Sequence, residues 1–393
     1  MSISLKNQKL ASSVRGAVAA RSSVKKPWML ALAALAMSAA APAFAANWWD
    51  GMQSVQIGQN AKINVRSFGA LGDGVHDDTA AFQAAINSLP ADGGTVNVPA
   101  GHYMINATKA IYLRSHTRIL MDSNATLEVI PTTSSHYWIF KVFNVNNVRI
   151  VGGNLVGDRI NHKGTTGEWG FGIDIQNAQH VVVKDVKLSN FWGDGIWIGA
   201  TGSGSTAKLS DYVAITNVVS SNNRRQGLSI GPATHVYISG STFKDTNGTL
   251  PQAGLDIEPQ DQGVASTVRL ENNIFSGNRG NGIELHYNIK DITITGNSML
   301  DNRGFGVLAV SAPYVYVTGN TATRNGLAGV GMAGTTHDAS ITGNTLQYNS
   351  TRYMSPTQSG GALDRDLQLG ANTARITVSG NHYSNPKKDS FTQ

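Results

Sequence analysis

Asp256, Glu258, Glu284 and His286 occupy matching places behind two glycines. The stretches are Gly254-Leu255-Asp256-Ile257-Glu258 and Gly282-Ile283-Glu284-Leu285-His286. Side chains alternate across a β-strand, so the aliphatic residues face a core and the four ionisable ones face away from it. If the stretches are neighbouring strands, column partners lie about 4.8 Å apart and strand partners about 6.7 Å apart. The four then form a square. Three carboxylates this close repel one another, so at least one binds its proton more tightly, which sets an acid beside a base. Cleavage of a glycosidic bond needs such a pair, one carboxylic acid for the leaving oxygen and one carboxylate for water or the anomeric carbon. A slip of one residue would turn all four into the core, where unpartnered ionisable groups are prohibitive.

The frame that positions them recurs. Glycines at 172, 195, 227, 254, 282, 306 and 329 each open an alternating apolar run, at intervals of 23, 32, 27, 28, 24 and 23 residues. A second register, Asn278, Asn302, Asn325 and Asn349, steps by 24, 23 and 24, and Gly296-Asn297, Gly319-Asn320 and Gly343-Asn344 step by 23 and 24. Such a period is too short for paired helices, and the leucine frame of leucine-rich repeats is absent. It fits the coil of a β-solenoid from about residue 140 onward, with parallel sheets and right-handed crossovers. The asparagines are expected to form internal ladders, each amide bonding the coils above and below.

Counted from each glycine, the second column reads Asp174, Trp197, Ser229, Asp256, Glu284, Leu308 and Gly331. The acids cluster in two coils instead of spreading along the face. Asp174 and Asp194 are further candidates on preceding coils. Trp169, Trp192 and Trp197 could stack on sugar rings or pack under loops. Arg224 and Arg225, with Gln226 beside them, could hold a uronate carboxylate or solvate a turn. Tyr287 is a candidate base for elimination. The longest interval contains Ala200–Ser205 and the next one along the chain contains Asp245–Pro251, insertions expected to wall a binding site.

Residues 1–45 read as a cleaved export signal. They carry Lys6, Lys9, Arg15, Arg21, Lys25 and Lys26 without an acid, then an apolar run from Met29 to Ala40, then Ala43-Phe44-Ala45. The run is too short to span a bilayer, which takes roughly 20 apolar residues. The chain has 31 Lys+Arg against 25 Asp+Glu. Removing the six basic residues of the signal leaves a neutral protein, so the basic balance is no argument for a nucleic-acid partner. With no cysteine, thiol catalysis and Cys-ligated metals are excluded. The expected location is periplasmic or extracellular.

Residues 64–98 read as an N-terminal cap and first strands. Asp77 or Asp78 can start a short helix whose apolar face includes Ala81, Phe82, Ala85 and Ile86. Gly93 to Pro99 then begin the strands. A solenoid needs this end covered. The run Phe68-Gly69-Ala70, Asp73-Gly74, Asp77-Asp78-Thr79 and Phe82-Gln83-Ala84-Ala85-Ile86 resembles the opening of the pectate-lyase-like superfamily. That superfamily includes tailspikes, exopolysaccharide depolymerases, polygalacturonase-like hydrolases and mannuronan C5-epimerases. The resemblance implies an all-β, single-stranded right-handed parallel β-helix over residues 46–393, and a polysaccharide substrate. Gly254 to Pro259 is similar in frame to the epimerases' catalytic strand and matches its Asp at Asp256, with Glu258 where those enzymes carry His. The Asn-Thr-Asp and Gly-His-Gly signatures of polygalacturonases are absent.

The leading expectation is a hydrolase using Asp256, Glu258 and Glu284, with no cofactor required. The alternative is a lyase or C5-epimerase on a uronate polymer, with His286 or Tyr287 as base, Arg225 at the carboxylate and Ca²⁺ possible at the square. A glycan-binding or scaffolding solenoid without catalysis is the third reading.

Overall fold

In the computed structural model, residues 47–52, 54–353 and 365–384 are described. The segment read as an export signal lies outside them. The described chain falls in the compact unit Ala46–Gln393 and is built almost wholly of short parallel strands, wound into a right-handed β-helix.

Three stacks of strands run along the helix, one strand from each stack per turn. Two are joined at an antiparallel step, Ala200 opposite Leu209 and Thr201 opposite Lys208. Hydrogen bonding therefore yields one 22-stranded and one 12-stranded sheet. Stacking starts well before residue 140. Lys62–Asn64 pairs with Gly94–Val98, which pairs with Thr117–Met121. These early coils keep the inward alternation at Val96, Val98, Ile119 and Met121, all buried, but lack the glycine frame.

That frame has a steric origin. A Cβ built on Gly254 would stand 2.7 Å from the carbonyl oxygen of Gly282 in the next coil, and one on Gly282 would stand 2.6 Å from that of Gly306. Successive coils pass too closely there for any side chain. Inward residues such as Leu228, Ile230, Leu255, Ile257, Ile283 and Leu285 are fully buried in one continuous core.

Both asparagine ladders form. Asn278 Nδ2 donates to Asn302 Oδ1 at 2.8 Å, Asn302 to Asn325 at 2.9 Å and Asn325 to Asn349 at 2.8 Å, and the last donates to Asp366. Asn273, Asn297, Asn320, Asn344 and Asn381 make the second. Each amide also donates to a backbone carbonyl, so turns with no room for water are satisfied.

The capping helix spans Thr79–Asn87 and buries Ala81, Phe82, Ala85 and Ile86, with Phe82 edge-on to Tyr103 at 5.3 Å. The two aspartates before it divide the work. Exposed Asp77 accepts from Thr79 N at 3.0 Å and Thr79 Oγ1 at 2.5 Å. Asp78 holds the N-cap position but makes no capping bond with its side chain. Its buried carboxylate accepts instead from Leu71 N at 2.7 Å and Gly72 N at 3.1 Å, which fixes the preceding loop. Asp77→Ala is expected to cost about 0.5–2 kcal/mol in denaturant titration. Asp78→Ala is expected to cost more, since backbone donors lose a charged acceptor in a buried place. Neither should change the specific activity of the folded fraction.

Candidate functional site

The site lies on the outer face of the stack containing Trp169–Gln176, Asp194–Thr201, Gln226–Ile230, Leu255–Ile257 and Ile283–Leu285. The pairing register runs Asp174 to Trp197, Trp197 to Ser229, Ser229 to Asp256, Asp256 to Glu284 and Glu284 to Leu308. This is the column read from the glycines. Asp256 and Glu284 are thus neighbours across strands. The strands end at Ile257 and Leu285, so Glu258 and His286 stand just past them.

Unlike a solvated exterior, this face is enclosed. Asp256 is only 2% exposed, and Asp174, Asp194 and Ser229 are buried, while Glu258, Glu284 and His286 are partly exposed. Gln226 Nε2 donates to Asp256 Oδ2 at 2.5 Å. Asp256 Oδ1 has no hydrogen bond and faces His286 Nε2 at 3.8 Å. The same nitrogen is 3.2 Å from Glu284 Oε1, and Glu284 Oε2 accepts from Asn281 Nδ2 at 2.8 Å. Burial, then the nearby Glu284 charge, pushes the Asp256 carboxyl up to about 8. The shift favours the protonated form, and with Oδ2 engaged by Gln226 the position left for a proton is Oδ1. Hydrogen bonding to Glu284 raises the His286 pKa. An acid and a paired imidazole share one small cleft.

One coil away lies a second network. Arg225 Nη1 donates to Asp194 Oδ2 at 2.9 Å and to Gln226 Oε1 at 3.0 Å, and its Nε is 3.6 Å from Glu168. Ser229 Oγ donates to Asp194 Oδ2 at 2.7 Å and also contacts Gln226 Oε1. Burial raises the Asp194 carboxyl to about 6, with Arg225 opposing the shift. Burial works against the Arg225 charge, but Asp194 and Glu168 outweigh it and hold the guanidinium charged. Arg225 is therefore committed to two acids. Through Gln226 it braces Asp256.

The other expected residues separate. Trp192 stacks on His162 at 3.9 Å, with the Arg224 guanidinium over its ring at 4.0 Å. Arg224 also donates to the Gly167 carbonyl at 2.7 Å. Both pin the loop before Trp169, which is the packing role. Trp169 and Trp197 instead line a cavity of about 320 Å³ with Trp138, Phe171, Asp174 and Gln176. Burial pushes the Asp174 carboxyl to about 7, although Gln176 donates to it at 3.0 Å. Tyr287 is exposed and takes no part in the network around Asp256. Of the insertions, Ala200 lines the cavity. The second packs against the Arg224 backbone through Thr249 N.

Glu168, Lys141, Trp138 and Asn281 carry no signal in the residue order that would mark them. Lys141 pairs with Asp174 in register but sits in a coil without the marker glycine. Glu168 ends a loop, and no spacing connects it to Arg225.

Asp256, Glu258 and His286 each offer a ligand atom within 4.8 Å of the others. Calcium takes six to eight oxygens. Here two carboxylates and an imidazole supply fewer oxygens than that.

Residues 251–392 match the family described as the right handed beta helix region. The chain is 31% identical over 331 residues to the uncharacterised protein YclG of Bacillus subtilis, covering 74% of this chain and 55% of that protein. It is 28% identical over 302 residues to mannuronan C5-epimerase AlgE2 of Azotobacter vinelandii, covering 68% of this chain and 25% of that protein. Among solved structures, the A-module of mannuronan C-5 epimerase AlgE6 of Azotobacter vinelandii superposes with a TM-score of 0.66 at 20% identity, over 82% of this chain and all of that one. PfbA, a surface adhesin of Streptococcus pneumoniae, gives 0.64 at 17% identity, over 82% of this chain and 91% of that one. The chain spans about half or less of the length of the curated relatives it matches. The fold expected from residues 68–86 is the fold observed.

Proposed function

We propose that this chain is an exported polysaccharide-modifying enzyme that moves protons at the Asp256 cleft, and that its substrate is a uronate polymer. The observation that carries the reading is Asp256 itself, a buried carboxyl whose environment favours its protonated form and whose Oδ1 stands unpaired beside His286. In C5 chemistry, His286 takes the proton next to the uronate carboxylate, with Glu284 fixing its ring. Asp256 donates a hydrogen bond to the charge that develops. Return of a proton from water to the opposite face inverts C5, whereas expulsion of the 4-oxygen, which takes up a proton as it leaves, forms a C4–C5 double bond and breaks the chain.

The sequence similarity to mannuronan C5-epimerases supports this reading. So do Arg279 and Arg303, exposed on successive coils before Ile283–Leu285 and the next strand, Val307–Val310, where they suit an anionic polymer. Among the described residues no helix is long and apolar enough to cross a membrane.

Hydrolysis is the second reading, favoured by the same protonated acid beside a carboxylate. Asp256 and Glu258 oxygens within 4.8 Å are too close for the water of an inverting enzyme, which needs roughly 6.5–9.5 Å, so hydrolysis here would retain configuration.

Incubation with polymannuronate and a panel of neutral polysaccharides in D₂O separates the cases. C5 deuteration, ultraviolet-absorbing unsaturated ends, or both, are expected. New reducing ends with neither deuteration nor ultraviolet-absorbing unsaturation would establish the hydrolase. Binding with neither change would make the protein a glycan-binding solenoid.

A further inference from the structure

The cavity at Asp174 is not part of the Asp256 cleft, yet it lies on the same face of the same stack. Asp174, Trp197, Ser229 and Asp256 are consecutive register partners, so three coil steps, about 14 Å, separate the two carboxyls. Its walls are flat rings. Phe171 and Trp197 stack at 5.9 Å and 8°, and His136 and Trp169 at 4.5 Å and 15°. Trp169 remains 43% exposed although it packs on His136. The floor is polar and ordered, with Asp174 only 1% exposed and bonded by Gln176. Lys141, over the Trp138 ring at 3.5 Å, borders it. Gln262, four residues beyond Glu258, also lines the cavity. The segment leaving the acid cleft therefore folds back to wall the aromatic one.

Aromatic walls with a few fixed polar groups suit a ring with an apolar C–H face and a rim of hydroxyls, which is a pyranose. We propose that this cavity is a distal glycan subsite that grips one sugar three coils from Asp256, so that the polymer lies along the helix axis and reaches both. Gln176, partly exposed and held by the buried Asp174, reads hydroxyls on the sugar rim, and the rings hold its face. The inference rests on the glycan reading of the Asp256 cleft for the identity of the chain it grips. A consequence is preference for long chains, because a short oligomer in the acid cleft cannot reach the second grip.

Trp169→Ala tests this with little risk to folding, since the ring is partly exposed, and a thermal melt checks that the fold is intact. The probes are oligomannuronates of three and eight sugars, and cellohexaose as a neutral chain. The Kd is measured by calorimetry in the Asp256→Asn background, and KM and kcat in the wild-type background. The variant is expected to weaken octamer binding and raise its KM by at least about tenfold, with kcat and trimer behaviour unchanged. Unchanged octamer affinity, equal weakening of the trimer, or no binding of any probe overturns the subsite. If the octamer binds in a Trp169-dependent manner without turnover, the subsite stands and the enzymatic reading falls. If the octamer is turned over at a rate and KM indifferent to Trp169, the enzymatic reading stands and the subsite falls.

Discussion

Asp256→Asn should lower turnover at least about 10²-fold while leaving the fold intact. The amide keeps the size of the carboxyl and can keep the contact with Gln226, but its N–H is a far weaker acid and hydrogen-bond donor than a carboxyl O–H. The stability of the variant relative to wild type should also change with pH in a defined direction. Burial raises the native pKa of Asp256 to about 8 from an ordinary 3.8. Between those values the native state holds a proton that the unfolded chain releases. The stabilisation is thus complete below pH 3.8 and is lost as pH rises through about 8. Asparagine does not titrate, so the melting temperature of the variant should gain on wild type as pH rises over this window. Wild-type activity should decline near pH 8 as the acid ionises. Glu284→Gln should lower activity comparably by unpairing His286. His286→Ala should be the severest change if C5 chemistry is right, and milder than the carboxyl changes under hydrolysis. Glu258→Gln should cut turnover as deeply only under hydrolysis. Wild-type rates in all four variants would sink the assignment of the cleft.

Arg225→Ala should destabilise the protein by about 3–5 kcal/mol near pH 8. The substitution leaves Asp194, fully buried and bonded to Ser229, without its cation. Asp194 already titrates near 6 with Arg225 in place, and removing the guanidinium drives it higher. At pH 5 it takes up a proton and the loss should shrink. Arg225→Ala combined with Asp194→Asn should recover much of the stability at pH 8, and a double-mutant cycle measures the coupling. Activity should remain low in the double variant, because Gln226 loses the neighbour that aims it at Asp256. A stability loss independent of pH would show that Arg225 acts through packing alone.

The repeat, its register and the helix that caps it were legible in the residue order. Alternation over two residues marks strands, and recurrence of Gly254, Gly282 and Gly306 aligns coils, because both patterns are local consequences of backbone geometry. Even the adjacency of Asp256 and Glu284 followed, since in a solenoid the neighbour in space is the neighbour one period away. Enclosure did not follow. Spacing shows that Asp256 faces out of the core, but only the folded chain shows that Gln226, His286 and Glu284 close over it, and this burial makes it an acid at neutral pH. The fates of the tryptophans and arginines were equally hidden. Trp192 and Arg224 lock a loop, Trp197 lines a cavity, and Arg225 meets a Glu168 to which no repeat connects it. Loops break the period that makes a solenoid readable, so contacts that pass through them are decided by tertiary structure alone.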